Sequence, residues 1–321
     1  MKRATSMLGA LALMAAGFLF AAPAAQATHS TIPTNPGSCT LVTTSFNWPG
    51  NGHYYNCGDL STLDAKSYSL PPHLKTKFAN SNVWVIKWKS AIDADAYFGN
   101  TAPNRWQDQY RSYGATVDAP QGIIVNLFER VRGHGGCNPT QFCAVSSSEF
   151  GDAYDHEVGH ALDFAFGEPS QTSSTFSTAV SSSWTRVNGL PATTVFPNGI
   201  PTKKSTDLTT WVTYTIPPTT DPKRNEKILK ELLPDHFSGT AKAKAEMFAY
   251  AYQQYKGALA PFDWTNPYGT KYTALPPPHP NGTKLFDLED IYKRMFELDK
   301  VGGSAPVSYM HKIWTDSTFI P

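Results

Sequence analysis

Apolar positions along the chain change period as it proceeds. Met7 to Ala22 is a near-continuous apolar run behind Lys2 and Arg3. Val83-Trp84-Val85-Ile86-Lys87-Trp88 and Ile123-Ile124-Val125-Asn126-Leu127-Phe128 are short runs of β-branched and aromatic residues, and both predict strands. Phe150, Tyr154, Val158, Ala161, Leu162 and Phe166 then recur at helical spacing, so 147–166 is expected to be an amphipathic helix. Ser146 and Glu149 have capping-box spacing at its start, and Gly167 followed by Pro169 is placed to stop it. Further helices are expected around 173–187, from Pro222 to Leu233, from Thr240 to Tyr255 before Gly257, and from Asp287 to about Leu298. A strand is expected at Trp211–Thr215. Strands before the long helix and helices after it predict an α+β fold, with a small mixed sheet ahead of that helix and a mostly helical C-terminal half.

The first 27 residues read as an export signal. The apolar run is short for a membrane span, and Ala25-Gln26-Ala27 supplies a small-x-small cleavage site. No later stretch holds 18 consecutive apolar residues. The mature chain is therefore expected to be secreted, or periplasmic in a cell with an outer membrane, with no membrane partner and as a monomer. The formal charge is +1; removing Lys2 and Arg3 makes it −1, since +1 − 2 = −1. That excludes the basic footprint of a nucleic-acid partner. The four cysteines suit an oxidising compartment. Among three connectivities, neighbour pairing is expected: Cys39–Cys57 and Cys137–Cys143. The wide gap between the pairs does not match a zinc knuckle. Residues 28–60, rich in Pro, Gly, Asn and Ser, read as a disulfide-stapled lead-in. Residues 61–300 read as the globular domain and 301–321 as a C-terminal tail.

The chemistry concentrates in Asp155-His156-Glu157-Val158-Gly159-His160-Ala161-Leu162-Asp163. On a helix, residues four apart share a face, so His156 and His160 can reach one zinc ion while Glu157 holds a water beside it. From this composition the H-E-x-x-H pattern arises by chance in roughly one chain in a hundred. Zinc acidifies its bound water and a nearby carboxylate can take the proton, which is the chemistry of amide hydrolysis. Gly159, between the histidines, lowers helix propensity. Either it lets another backbone or a substrate come close, or it is simply tolerated.

A catalytic zinc site needs a third protein ligand and an open position. Glu246, Asp163, Asp235 and His236 are the candidates. Asp163 lies one turn below His160, where direct coordination beside both histidines strains the geometry, so a supporting or helix-end role is expected. Glu246 lies in Ala245-Glu246-Met247-Phe248-Ala249-Tyr250-Ala251-Tyr252, on a second expected helix whose solvent side carries Lys242 and Lys244.

His-Glu-Val-Gly-His-Ala-Leu-Asp, with a later helix of Glu-Met-Phe-Ala-x-Ala-Tyr pattern, resembles the anthrax lethal factor peptidase domain and the related Pro-Pro endopeptidases. The resemblance covers about a tenth of the chain. It implies a zincin-like fold, one catalytic Zn2+, His156, His160 and Glu246 as ligands, and Glu157 as general base. That makes 61–300 the catalytic domain of a gluzincin-type endopeptidase acting on a protein or peptide substrate. The family's oxyanion-stabilising Tyr, seven residues before the ligand Glu, is replaced here by Gly239. His236 or Tyr250 is expected to take its role, His236 first. Ile123–Phe128 is the candidate edge strand for an extended substrate. The alternatives are an Asp163-ligated zinc peptidase and a non-catalytic zincin-like toxin or binding module.

Overall fold

The structure is a computed structural model describing residues 39–41, 54–60, 70–102, 104–108, 113–119, 122–132, 140–196, 200, 203–204, 211–212, 214–258 and 306–321. Strands β1 (Thr40–Leu41) and β2 (Tyr54–Asn56) lead into helix α1 (Pro72–Asn80) and strand β3 (Trp84–Ser90). Helix α2 (Ala91–Phe98), strands β4 (Gly114–Ala119), β5 (Gly122–Arg132) and β6 (Phe142–Ala144), and the long helix α3 (Ser147–Ala165) follow. Next come α4 (Pro169–Thr172), α5 (Ser174–Gly189), α6 (Ala192–Val195) and a small ribbon of β7 (Lys203–Lys204) with β8 (Trp211–Val212). Helices α7 (Arg224–Leu232), α8 (Pro234–Phe237), α9 (Ala241–Ala258) and α10 (Pro306–Thr315) complete the described chain.

The main sheet is mixed, in the order β1-β2-β3-β5-β4, with β6 paired to β5. β3 runs parallel to both β2 and β5, and β4 runs antiparallel to β5. Strands buried on both faces read as near-continuous apolar runs, and β3 and β5 are mostly apolar for that reason, with Lys87, Asn126 and Glu129 as buried polar exceptions. Val85, Ile123, Val125 and Leu127 face α3, whereas Trp84, Ile86, Trp88, Ile124 and Phe128 pack under α2 with Phe98 and Trp106. Full burial of each such side chain contributes about 1.5–3 kcal/mol. The protein is thus a mixed α/β fold whose main sheet precedes α3 and whose later part is mostly helical.

Three expectations are corrected. Ile123–Phe128 is not an edge strand, because β5 is hydrogen-bonded between β3 and β4. Its apolar run serves two buried faces, and β4 ends the strand order among the described residues. The strand expected at Trp211–Thr215 includes Trp211–Val212 but not Tyr214 or Thr215, and Thr213 lies outside the described residues. Residues 301–321 do not form a simple tail: α10 carries Tyr309, Met310 and Ile313 into the core. The helix expected at 287–298 lies outside the described residues. The other long helices fall close to their expected places.

Two described pieces of the lead-in, β1 and β2, belong to the sheet. Cys39 and Cys57 are disulfide-bonded. Cys143 is also disulfide-bonded, and Cys137, its expected partner, lies outside the described residues. A bond of this kind is compatible with an extracellular protein. Among the described residues, no helix is long and apolar enough to cross a membrane.

Candidate metal centre

α3 starts on the expected capping box: Ser146 accepts from the Glu149 N–H, and the Glu149 carboxylate accepts from the Ser146 N–H at 2.9 Å. This fixes the rotation of the helix start. Phe150, Tyr154, Val158, Ala161 and Leu162 then point into the core, leaving His156 and His160 on the face that meets α9. The start of α9 is tied down by Thr240, whose Oγ1 accepts from Ala243 N at 3.2 Å. Met247, Phe248, Ala251 and Tyr252 of α9 are buried while Lys242 and Lys244 are exposed. Glu246 therefore emerges at the border, facing α3.

The two helices touch closely at Gly159. A Cβ placed there would lie 2.6 Å from Ala249 Cα and 2.9 Å from the Ala249 carbonyl oxygen. The glycine between the histidines is thus the point where another backbone comes close.

His156 Nε2 lies 3.2 Å from His160 Nε2 and 3.2 Å from Glu246 Oε2, and His160 Nε2 lies 3.7 Å from the same oxygen. A tetrahedral ion with bonds of ~2.0–2.1 Å needs donor–donor edges of about 3.3–3.4 Å. The three donors form one face of such a tetrahedron, and this group can hold a metal ion. Two imidazole nitrogens this close must share a proton or a metal ion between them, because two lone pairs facing each other repel. Among the described residues, the buried Nδ1 of His156 has no hydrogen-bond partner.

The electrostatics agree with this geometry. Burial disfavours a charged His160, but the Glu246 carboxylate beside it overrides that and brings the imidazole to about 9. For Glu246, burial raises the carboxyl, but the His160 and His156 imidazoles outweigh it and hold the group well below its usual range. A proton in this cluster stands where a metal would compete for the same electron pairs.

Glu157 is buried. Burial pushes its carboxyl up, against the opposing pull of His160, His156 and the Thr116 hydroxyl. A carboxylate raised in this way accepts a proton more readily than an exposed one. Thr116 Oγ1 of β4 lies 2.7 Å from Glu157 Oε2.

The other sequence candidates divide. His236, on α8, brings Nε2 to 3.9 Å from Glu246 Oε2. The Tyr250 ring stands 4.3 Å from the His156 ring and 6.0 Å from that of His236, centroid to centroid. Both flank the donor triangle. Asp163 does not join it. Its buried carboxylate accepts from Ser170 N at 2.8 Å and Ser170 Oγ at 2.6 Å, tying the end of α3 to α4. Burial pushes this carboxyl up to about 6 against those two bonds. The side chain of Asp235 lies outside the described residues. Gly114 and Thr116 escaped sequence reasoning. Gly-Ala-Thr-Val-Asp-Ala holds no aromatic and only weak alternation, so its strand signal is faint.

Compared with protein-family models, curated proteins and solved structures, the chain matches none.

Proposed function

We propose that this protein is a secreted zinc endopeptidase of the zincin type, similar in its site to the lethal factor peptidase domain and the Pro-Pro endopeptidases. The observation that carries the reading is the His156–His160–Glu246 triangle, with edges of 3.2, 3.2 and 3.7 Å, beside a buried glutamate. Two imidazoles and one carboxylate are the donor set of many hydrolytic zinc sites. When bound, zinc supplies a Lewis acid for the scissile carbonyl and acidifies water toward neutrality.

The remaining work falls to the chain. Glu157 takes the proton of the attacking water and delivers it to the leaving amine nitrogen. Its burial suits both halves of that task, since a raised carboxyl holds the proton long enough to pass it on. His236 and Tyr250 stand on the flank where a donor to the developing oxyanion is needed. A peptide laid along β4 would present its carbonyl toward α3, with backbone hydrogen bonds supplying affinity independent of side chains.

Elemental analysis and peptide cleavage test the reading together. The mature protein should carry about one zinc per chain and cut extended peptides. Glu157→Gln should keep the zinc and lose at least ~10²-fold in kcat. A protein that takes up no transition metal, or a variant that loses metal and activity in proportion, would overturn the assignment.

A further inference from the structure

Glu157 is held from the side by strand β4. Thr116 Oγ1 lies 2.7 Å from Glu157 Oε2 and 2.9 Å from the Glu157 carbonyl oxygen. A hydroxyl has a single proton, and the charged oxygen at the shorter distance is the stronger acceptor. Two positions back along the same face, a Cβ on Gly114 would lie 2.7 Å from Glu157 Cγ and 3.1 Å from Cδ. The Glu157 stem therefore rests against bare strand backbone.

β4 is itself fixed in place. Thr116 pairs with Val125 and Gly114 with Leu127, both of which face α3. Buried Asn126 donates to the Ala115 carbonyl at 3.0 Å and accepts from Trp88 Nε1 at 2.8 Å. The strand that holds the glutamate cannot slide without breaking these bonds.

A glutamate has three side-chain torsions, and the last is broad and roughly two-fold. A general base must lie about 2.6–3.2 Å from the proton it takes. Fixing one carboxylate oxygen removes the freedom of the last torsion and decides which oxygen meets the water.

We propose that Thr116 is a positioning residue for Glu157, its hydroxyl tethering Oε2 so that Oε1 is presented as the proton acceptor, with Gly114 leaving the room this requires. This rests on the peptidase reading. A purely structural Thr116 would instead pin β4 to α3 through the Glu157 carbonyl, and would affect stability rather than turnover.

Thr116→Val keeps the shape and removes the hydroxyl, Thr116→Ala removes both, and Thr116→Ser keeps the hydroxyl. The zinc-loaded full chain of each is assayed for kcat, KM, zinc content and thermal unfolding, and crystallised for the Glu157 rotamer. Thr116→Val should lower kcat by about tenfold or more, the scale of a misplaced catalytic group. KM should stay within about twofold and zinc content should not change. Thr116→Ser should restore most of kcat. Glu157 should occupy one rotamer in the Ser variant and several in the Val variant. Full kcat in Thr116→Val, equal losses in the Val and Ser variants, or an unmoved Glu157 in Thr116→Val would each overturn the proposal. So would failure of both the Val and Ala variants to fold. If the unmodified protein cuts no peptide, the peptidase reading falls by itself, and the rotamer comparison alone decides the role of Thr116.

Discussion

Replacing Gly159 by Ala tests whether the site depends on a backbone-to-backbone approach. Two effects oppose each other. Alanine in a helix interior is favoured over glycine by up to ~1 kcal/mol. The new methyl, however, would sit 2.6 Å from Ala249 Cα, 2.9 Å from its oxygen and 3.2 Å from its carbonyl carbon. Carbon atoms pack at about 3.5–4.0 Å, so α3 and α9 must part by roughly 1 Å there. Overpacking of that kind costs about 1–3 kcal/mol, so the net change in stability is small and destabilising. The effect on the metal is larger. Gly159 adjoins His160, and Ala249 lies about one turn beyond Glu246, so the parting acts directly across the donor triangle. Metal bonds tolerate only about ±0.2 Å. Zinc affinity, measured by chelator competition, should therefore fall at least ~10-fold, about 1.4 kcal/mol, while the metal-free protein stays folded. Because the obstructing atoms are backbone, Ala249→Gly should not rescue the variant. A Gly159→Ala protein that binds zinc as tightly as its parent and melts higher would refute the reasoning.

Three further outcomes are expected. Glu246→Ala should strip the zinc, whereas Asp163→Ala should keep it and instead lose about 1–3 kcal/mol of stability, since the buried N–H and hydroxyl of Ser170 lose their acceptor; zinc content and thermal melts separate the two. His160 stands at about 9 in the folded metal-free protein against 6.5 unfolded. A raised histidine stabilises fully below the unfolded value and loses its contribution as pH rises through the folded one. The chelated protein should thus weaken between pH 6.5 and 9 in a denaturant series, and zinc binding near neutrality should release protons, read by calorimetry in buffers of different ionisation enthalpy. His236→Ala, assayed beside Tyr250→Phe, should lower kcat by ~10²–10³-fold with zinc retained; full activity in both variants would place the oxyanion donor elsewhere.

The parts of the site that were legible in the sequence are those encoded within one element. The capping box, the four-residue spacing of the histidines and the Gly167 stop all act inside one helix, so residue order alone exposes them. Glu246 came from a pattern match: only the packing of α9 on α3 shows why it faces the histidines and Lys242 does not. Gly159 was ambiguous for a related reason. A glycine that serves a neighbour 90 residues away looks the same in sequence as a tolerated one. The mistaken edge strand has a specific cause. A run as apolar as Ile123–Phe128 is what a strand covered on both faces requires, and the less conspicuous β4 takes the end position. Lys87, within one apolar run, and Glu129, just past the other, carry no sequence signal of their own. Both are fully buried, which no local pattern reveals.

That buried pair also bears on the lead-in. Lys87 Nζ lies 2.9 Å from Glu129 Oε1 and donates to the Leu60 carbonyl at 2.7 Å. The Glu129 carboxylate accepts from Asp59 N at 2.8 Å and from Leu60 N at 2.7 Å. Gly58 is pressed against it so closely that a Cβ there would overlap the carboxyl group. Ions buried in a core persist only when their remaining bonds are satisfied, and residues 58–60 satisfy them. The same Glu129 accepts, through its backbone carbonyl, from Val145 N at 3.0 Å, one residue before the Ser146 cap of α3. A path of bonds therefore runs from the stapled segment, through a buried carboxylate on β5, to the start of the helix that carries both histidines. Loss of residues 54–60 would leave Glu129 without two donors and Lys87 without one of its two acceptors, each at about 1–3 kcal/mol. It would also remove β2 from beside β3. Those losses together are comparable to the whole stability of an ordinary domain, about 5–15 kcal/mol. Residues 54–60 are accordingly a working part of the folded protein, and any processing that leaves the site intact must cut ahead of them.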